Sequence, residues 1–194
     1  MSKLSLLSYA GLRHSTRMIV LSLVAGLGFA ALLTLSGTTT AKPKIGELPK
    51  NSVAKFPLRM STGAEISLMD LRGKVAVINF FAVWCSHSRL HIPALTKYGE
   101  AETKQGLQIV GLAVDDAETT PQRVGEFIHQ MKMTYPVGLV SDDVFKKYVD
   151  SKDLSVPQTL VYARDGKLVA HFIGHDDALA AELDATIKRE LDKR

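Results

Sequence analysis

The chain reads as an α/β domain built on a mixed sheet, and three observations point there. A uniformly apolar run over 75–81 and a second one over 107–114 that accumulates Leu, Ile and Val have the composition of buried central strands. Stretches with helical periodicity alternate with the strands through the first two thirds of the domain. The last third instead carries a hairpin signal, Arg164-Asp165-Gly166 between apolar runs at 159–163 and 167–173, followed by a terminal helix.

The elements follow in order. Residues 56–60 and 64–68 flank Ser61-Thr62-Gly63 and predict a hairpin with a Gly-containing turn. Asp70-Leu71-Arg72-Gly73-Lys74 leads into the strand over 75–81. After Cys85 a helix is expected to about residue 105, with Pro93 inside it as a kink. Thr120 before Pro121 marks a helix start, with threonine as cap and proline at the first helical position. That helix places Val124, Phe127, Ile128 and Met131 on one face. A short strand is expected over 136–140, and Ser141-Asp142-Asp143 opens a helix through Tyr148. The last helix, from about Asp176, repeats Leu179, Leu183, Ile187 and Leu191 at fourfold spacing.

At 194 residues, 46% of them hydrophobic, the chain has material for one ordinary domain and an accessory segment. Residues 1–17 form a basic leader carrying Lys3, Arg13 and Arg17, and no acid precedes Glu47. Without those three cations the chain carries 21 basic residues against 20 acidic ones, so the domain lacks the basic footprint of a nucleic-acid binder. Residues 18–36 are a continuous apolar run near the lower length limit for crossing a bilayer, and the preceding cations favour a cytoplasmic leader. The expectation is a single-pass anchor; a cleaved signal peptide is the competing reading. A Gly-, Thr-, Lys- and Pro-containing linker over 37–50 then joins it to a domain at 51–194. The domain is expected in the bacterial periplasm or another extracytoplasmic space. An acid-free leader also suits a mitochondrial inner-membrane protein facing the intermembrane space.

Cys85 is the single cysteine, so no internal disulfide is available. It stands in Trp84-Cys85-Ser86-His87-Ser88, between the strand and the helix. A cysteine there has its sulfur near unpaired N–H groups and the positive end of the helix dipole, which favour thiolate, the attacking form. His87 and Ser88 are candidate stabilisers, by charge or hydrogen bond and by a hydroxyl one turn on. The bland alternatives are a cysteine acting as a small buried apolar residue, a solvated His87 and a merely polar Ser88. His129 and His171 read as surface or strand residues.

Gly73-Lys74, Asn79-Phe80-Phe81, Trp84-Cys85, Arg89, Pro93, Val156-Pro157-Gln158-Thr159 and Asp165-Gly166 together resemble the TlpA/ResA-like branch of membrane-anchored thioredoxins. The resemblance covers about 46–194, including the branch's strand-helix insertion, and implies a thioredoxin-like fold. It also implies a cis bond before Pro157, with Pro157 against Cys85. Val156 is implied to pair its backbone with a bound partner, Trp84 to lend a flat apolar surface, and Gly174 and His175 to form the rim. Trp84, Val156, Pro157 and His175 are thus the implied substrate-binding residues, beside Cys85, His87 and Ser88 as the reacting set.

Three departures matter. Ser88 occupies the resolving-cysteine position, His91 stands where the branch usually has glutamate, and Ser86-His87 replaces an often proline-containing pair. Thiol-disulfide exchange is therefore expected to pass through mixed disulfides with a protein thiol or disulfide substrate, resolved by an external thiol. No cofactor is called for. The competing readings are copper or zinc binding by Cys85 with His87, His91 or His175, and a partner-binding module without turnover. One-cysteine peroxide reduction is disfavoured, because Ile78 and Ala82 occupy the positions where peroxiredoxins carry proline and threonine.

Overall fold

The structure, a computed structural model, describes residues 55–149 and 151–193. The leader, apolar run and linker expected over 1–50 lie outside the described residues. No described helix is long and apolar enough to cross a membrane.

Five strands form the mixed sheet: β3 (Val75–Phe81), β4 (Leu107–Val114), β5 (Val137–Val140), β6 (Gln158–Tyr162) and β7 (Leu168–Ile173). Their spatial order is β5-β4-β3-β6-β7. The β3–β4 and β4–β5 pairs are parallel, whereas β6 runs antiparallel to both β3 and β7. Parallel neighbours need crossovers, and the helices between them supply these. The β6–β7 hairpin needs only its turn, where Gly166 adopts φ 86.

Helices cover both faces of the sheet. All seven residues of β3 are buried, as its uniform composition requires. Val75, Val77 and Phe81 point to one core, shared with Ile92 and Leu95 of α1 (Ser86–Glu102) and Val124 and Phe127 of α2 (Pro121–Gln130). Leu183, Ile187 and Leu191 of α4 (Asp177–Asp192) complete that core. Ala76, Ile78 and Phe80 face the other core, with Phe145, Tyr148 and Val149 of α3 (Asp142–Val149). Burying each large aliphatic side chain contributes about 1.5–3 kcal/mol.

The caps lie where the residue types place them. Thr120 Oγ1 accepts from the Arg123 N–H at 3.3 Å, and Asp176 accepts from the Leu179 N–H at 2.7 Å. The expected apolar faces also form: Ile128, Met131 and Leu179 are partly buried against the first core. The expected helix to residue 105 ends as α at Glu102 and closes through a 3-10 turn, Thr103–Gln105, because Gly106 turns left-handed at φ 91.

The N-terminal hairpin is shorter than expected. Its strands β1 (Leu58–Arg59) and β2 (Glu65–Ile66) pair over two residues each. Leu68 instead begins a 3-10 turn, Leu68–Leu71. Asp70 there accepts from the Ser67 N–H at 2.7 Å, a capping box that draws the chain out of the strand.

Candidate active site

Cys85 is delivered to one end of the sheet by β3 and becomes the N-cap of α1, with φ −77 and ψ 119. Its N–H donates to the Ala82 carbonyl and its own carbonyl accepts from the Arg89 N–H, each at 3.2 Å. The side chain is 7% exposed. The sulfur accepts no capping bond from the first turn of α1; its S–H donates to the Val156 carbonyl at 3.2 Å. The Val156-Pro157 peptide is cis, as the resemblance implies. The thiol therefore rests on the backbone atom that precedes the proline, and only a thiol, not a thiolate, can donate there.

Neighbouring side chains fix the loop between β3 and α1. The indole N–H of Trp84 donates to Asp116 Oδ2 at 2.8 Å, while Asp116 Oδ1 accepts from the Glu118 and Thr119 N–H groups at 2.8 Å each. Partial burial raises the Asp116 pKa, but these donors outweigh it and hold the carboxyl below its ordinary range. Trp84 so anchored leaves 54% of its surface in solvent. Arg89 donates to the Val83 carbonyl at 2.9 Å and to Gln130 Oε1 at 3.0 Å, and lies over the Phe127 ring at 4.8 Å. That ties the loop to α1 and α2.

On the opposite wall, Gln158 is fully buried and braces the proline loop. Its amide donates to the Asp153 and Ser155 carbonyls at 2.8 Å each, and its Oε1 accepts from His171 Nε2 at 2.7 Å. The Gly174 N–H donates to the Pro157 carbonyl at 2.8 Å, with Gly174 at φ 84. Only glycine takes that backbone conformation without steric cost.

The expected site residues divide between these walls. Ser88 is fully buried, and among the described residues its hydroxyl finds no hydrogen-bond partner. His87 is exposed, and its imidazole hydrogen-bonds to none of the described residues. His91, 4% exposed, is inserted between β6 and the rim: its Nδ1 meets His175 Nδ1 at 3.1 Å and its Nε2 meets Thr159 Oγ1 at 2.9 Å. Burial, reinforced by His175, pushes its pKa down to about 4. Thr159 also accepts from Asn79 Nδ2 at 3.0 Å. Among the described residues no group of three or more His, Cys, Asp or Glu is placed to hold a metal ion.

Asp116, Asn79, Thr159 and Gln158 escape sequence reasoning. Asn79 and Thr159 are polar residues in apolar strands that meet across 80 residues, Asp116 meets the Trp84 indole across 32, and Gln158 reaches the Asp153 and Ser155 carbonyls through a loop whose course no local pattern sets. Only the strand register, which sets Asn79 opposite Thr159, reveals that pair.

Comparison with known proteins places this geometry. Residues 49–171 match the AhpC/TSA family. The chain belongs to that family. This AhpC/TSA family member is 26% identical over 159 residues to the thiol-disulfide oxidoreductase ResA of Bacillus thuringiensis (strain Al Hakam), across 81% of this chain and 86% of that one. It is equally similar, over 136 residues, to the thioredoxin-like protein YneN of Bacillus subtilis (strain 168), across 70% of this chain and 78% of that one. Among solved structures, a proposed protein disulfide isomerase of Bacteroides thetaiotaomicron superposes with TM-score 0.67 at 26% identity, covering 78% of this chain and 92% of the other. A secreted disulfide oxidoreductase of Mycobacterium tuberculosis shares the fold with TM-score 0.59 at 18% identity, covering 72% and 98%. The fold is thioredoxin-like, and the resemblance to the ResA branch holds.

Proposed function

We propose that the protein carries out thiol-disulfide exchange through Cys85 alone, in an extracytoplasmic domain tethered by the apolar run over 18–36. The observation that carries this reading is the contact of the Cys85 thiol with the Val156 carbonyl, immediately before Pro157, in a relative of thiol-disulfide oxidoreductases. In the first step the Cys85 thiol loses its proton to solvent and leaves the Val156 carbonyl. The thiolate attacks one sulfur of a partner disulfide, forming a mixed disulfide while the partner's other sulfur departs as thiolate and takes up a proton.

The freed Val156 carbonyl then accepts from a backbone N–H of the partner, and Trp84 supplies apolar contact beside the sulfur. The first-turn N–H groups of α1 and, from one turn on, the buried Ser88 hydroxyl are available to the thiolate as donors; His87 is free to add charge from solvent. No second cysteine exists to expel the partner, so an external thiol attacks the mixed disulfide and regenerates Cys85. The partner is a protein thiol or disulfide.

The test is made on the full chain in detergent micelles, reduced and mixed with a disulfide-bonded peptide. A one-to-one adduct at Cys85 that persists until a small thiol is added is the expected result. A thiol that forms no adduct unless the protein is unfolded would refute it. Ser88→Cys separately tests the machinery: insulin-type disulfide reduction should appear, because a second sulfur can then close on Cys85.

A further inference from the structure

We propose that His91 and His175 are positioning residues that tie the rim of the site to α1 through a hydrogen-bond chain of fixed direction, and so set the gap between Cys85 and Pro157. The proposal rests on the reading of Cys85 as the exchanging thiol, because that gap is where the partner's backbone would lie. Neither imidazole touches the sulfur in the contacts described above, so their action is through geometry.

The direction of the chain follows from counting protons. Thr159 is 1% exposed and accepts from Asn79 Nδ2–H at 3.0 Å. Its own hydroxyl proton needs an acceptor, and the atom in reach is His91 Nε2 at 2.9 Å. A neutral imidazole has one donor and one acceptor, so His91 must carry its proton on Nδ1. That proton points at His175 Nδ1, 3.1 Å away, which must then be the acceptor. The order is Asn79 to Thr159 to His91 to His175, running from the buried strands β3 and β6 out to the rim.

The mechanical link is equally direct. His91 lies in α1, six residues after its N-cap Cys85, and His175 adjoins Gly174, whose N–H holds the Pro157 carbonyl at 2.8 Å. The imidazole pair is therefore a strut between the helix that carries the thiol and the loop that faces it. It works only when both rings are neutral: a proton added at His175 Nδ1 would set two N–H groups against each other, and one added at His91 Nε2 would face the Thr159 hydroxyl proton. Of the groups facing His91, Asn79 from β3 and Thr159 from β6 do not titrate, and His175 from the rim does. The Asp176 carboxylate is engaged as the cap of α4, and Asp177 is exposed in its first turn. No carboxylate bonds to either ring among the described residues, so none compensates the charge.

The test uses the full chain in detergent micelles, with imidazole nitrogen spectra and amide hydrogen exchange. At pH 7, His91 is expected to be protonated at Nδ1 and His175 unprotonated there. The protection factor of the Gly174 amide should fall at least tenfold from pH 7 to pH 4. The Gly111 amide of β4, bonded to the Pro136 carbonyl, should stay protected at pH 4 and so report that the domain stays folded. His91→Phe should show low Gly174 protection already at pH 7, with a smaller fall to pH 4 than the parent chain. His175→Gln, whose amide oxygen can still accept from His91 Nδ1, should keep the parent chain's Gly174 protection at pH 7. A His91 ring protonated at Nε2, or Gly174 protection unchanged between the two pH values, would overturn the proposal. Those wild-type readouts decide the matter even if His91→Phe fails to fold. Failure of the exchange reading would show instead as a missing Cys85 adduct at pH 7, leaving the Gly174 result in place.

Discussion

A buried hydroxyl without a partner contributes nothing to stability, and that makes Ser88 informative. Ser88→Ala should leave the unfolding free energy unchanged or raise it by up to about 1 kcal/mol, measured by urea denaturation, since no hydrogen bond is lost and a desolvated polar atom is removed. A loss above about 1 kcal/mol would show that the hydroxyl is already bonded in the resting protein. Trp84 makes the opposite case. Its indole N–H and two backbone N–H groups converge on Asp116, so Asp116→Ala should cost about 1–3 kcal/mol. Because Trp84 is the single tryptophan, its fluorescence reports the release of the ring directly. An unchanged emission spectrum in the variant would contradict the anchoring role.

At the scale of elements, the contacts that hold the N-terminal hairpin against the sheet are backbone-tight. A Cβ at Gly138 in β5 would lie 2.6 Å from the Arg59 carbonyl oxygen, so Gly138→Ala must displace β1 or β5. Destabilisation of about 1–3 kcal/mol in urea denaturation is expected, and an unaffected midpoint would show that the hairpin moves freely. Elements with a strong local signal were legible in the sequence: the uniformly apolar β3, the Thr120-Pro121 start of α2 and the fourfold leucine spacing of α4. The shortened hairpin was not, because the Ser67–Asp70 capping box competes locally with strand pairing. The site was legible on the thiol side, where Trp84 and Cys85 are adjacent in sequence. The Asn79–Thr159–His91–His175 chain was not, because its links span 80, 68 and 84 residues and depend on strand register and helix orientation.

At the scale of the molecule, the neutral His91 couples stability to pH. Its pKa is near 4 in the folded protein against 6.5 when solvated, so the unfolded chain binds more protons between those values. The contribution is fully present above pH 6.5 and is lost as pH falls toward 4, by about 3 kcal/mol in total. Exposed carboxylates with lowered pKa, such as Asp70, also lose stabilisation in acid, so the comparison that isolates His91 is with His91→Gln. Urea midpoints at pH 7 and pH 4.5 should differ less in that variant than in the parent chain; an equal pH dependence would contradict a neutral buried imidazole. Tethering is tested by fractionation: the full chain should stay with membranes through high salt and leave them in detergent.

Exchange at Cys85 can be read from the intact mass of the folded full chain. Reduced protein mixed with a disulfide-bonded peptide at pH 7 should gain one peptide half per chain at Cys85, keep it for as long as no other thiol is present, and lose it when a small thiol is added. A folded chain that gains no peptide under conditions in which an unstructured Cys-containing peptide reacts to completion would show that Cys85 is not an exchanging thiol.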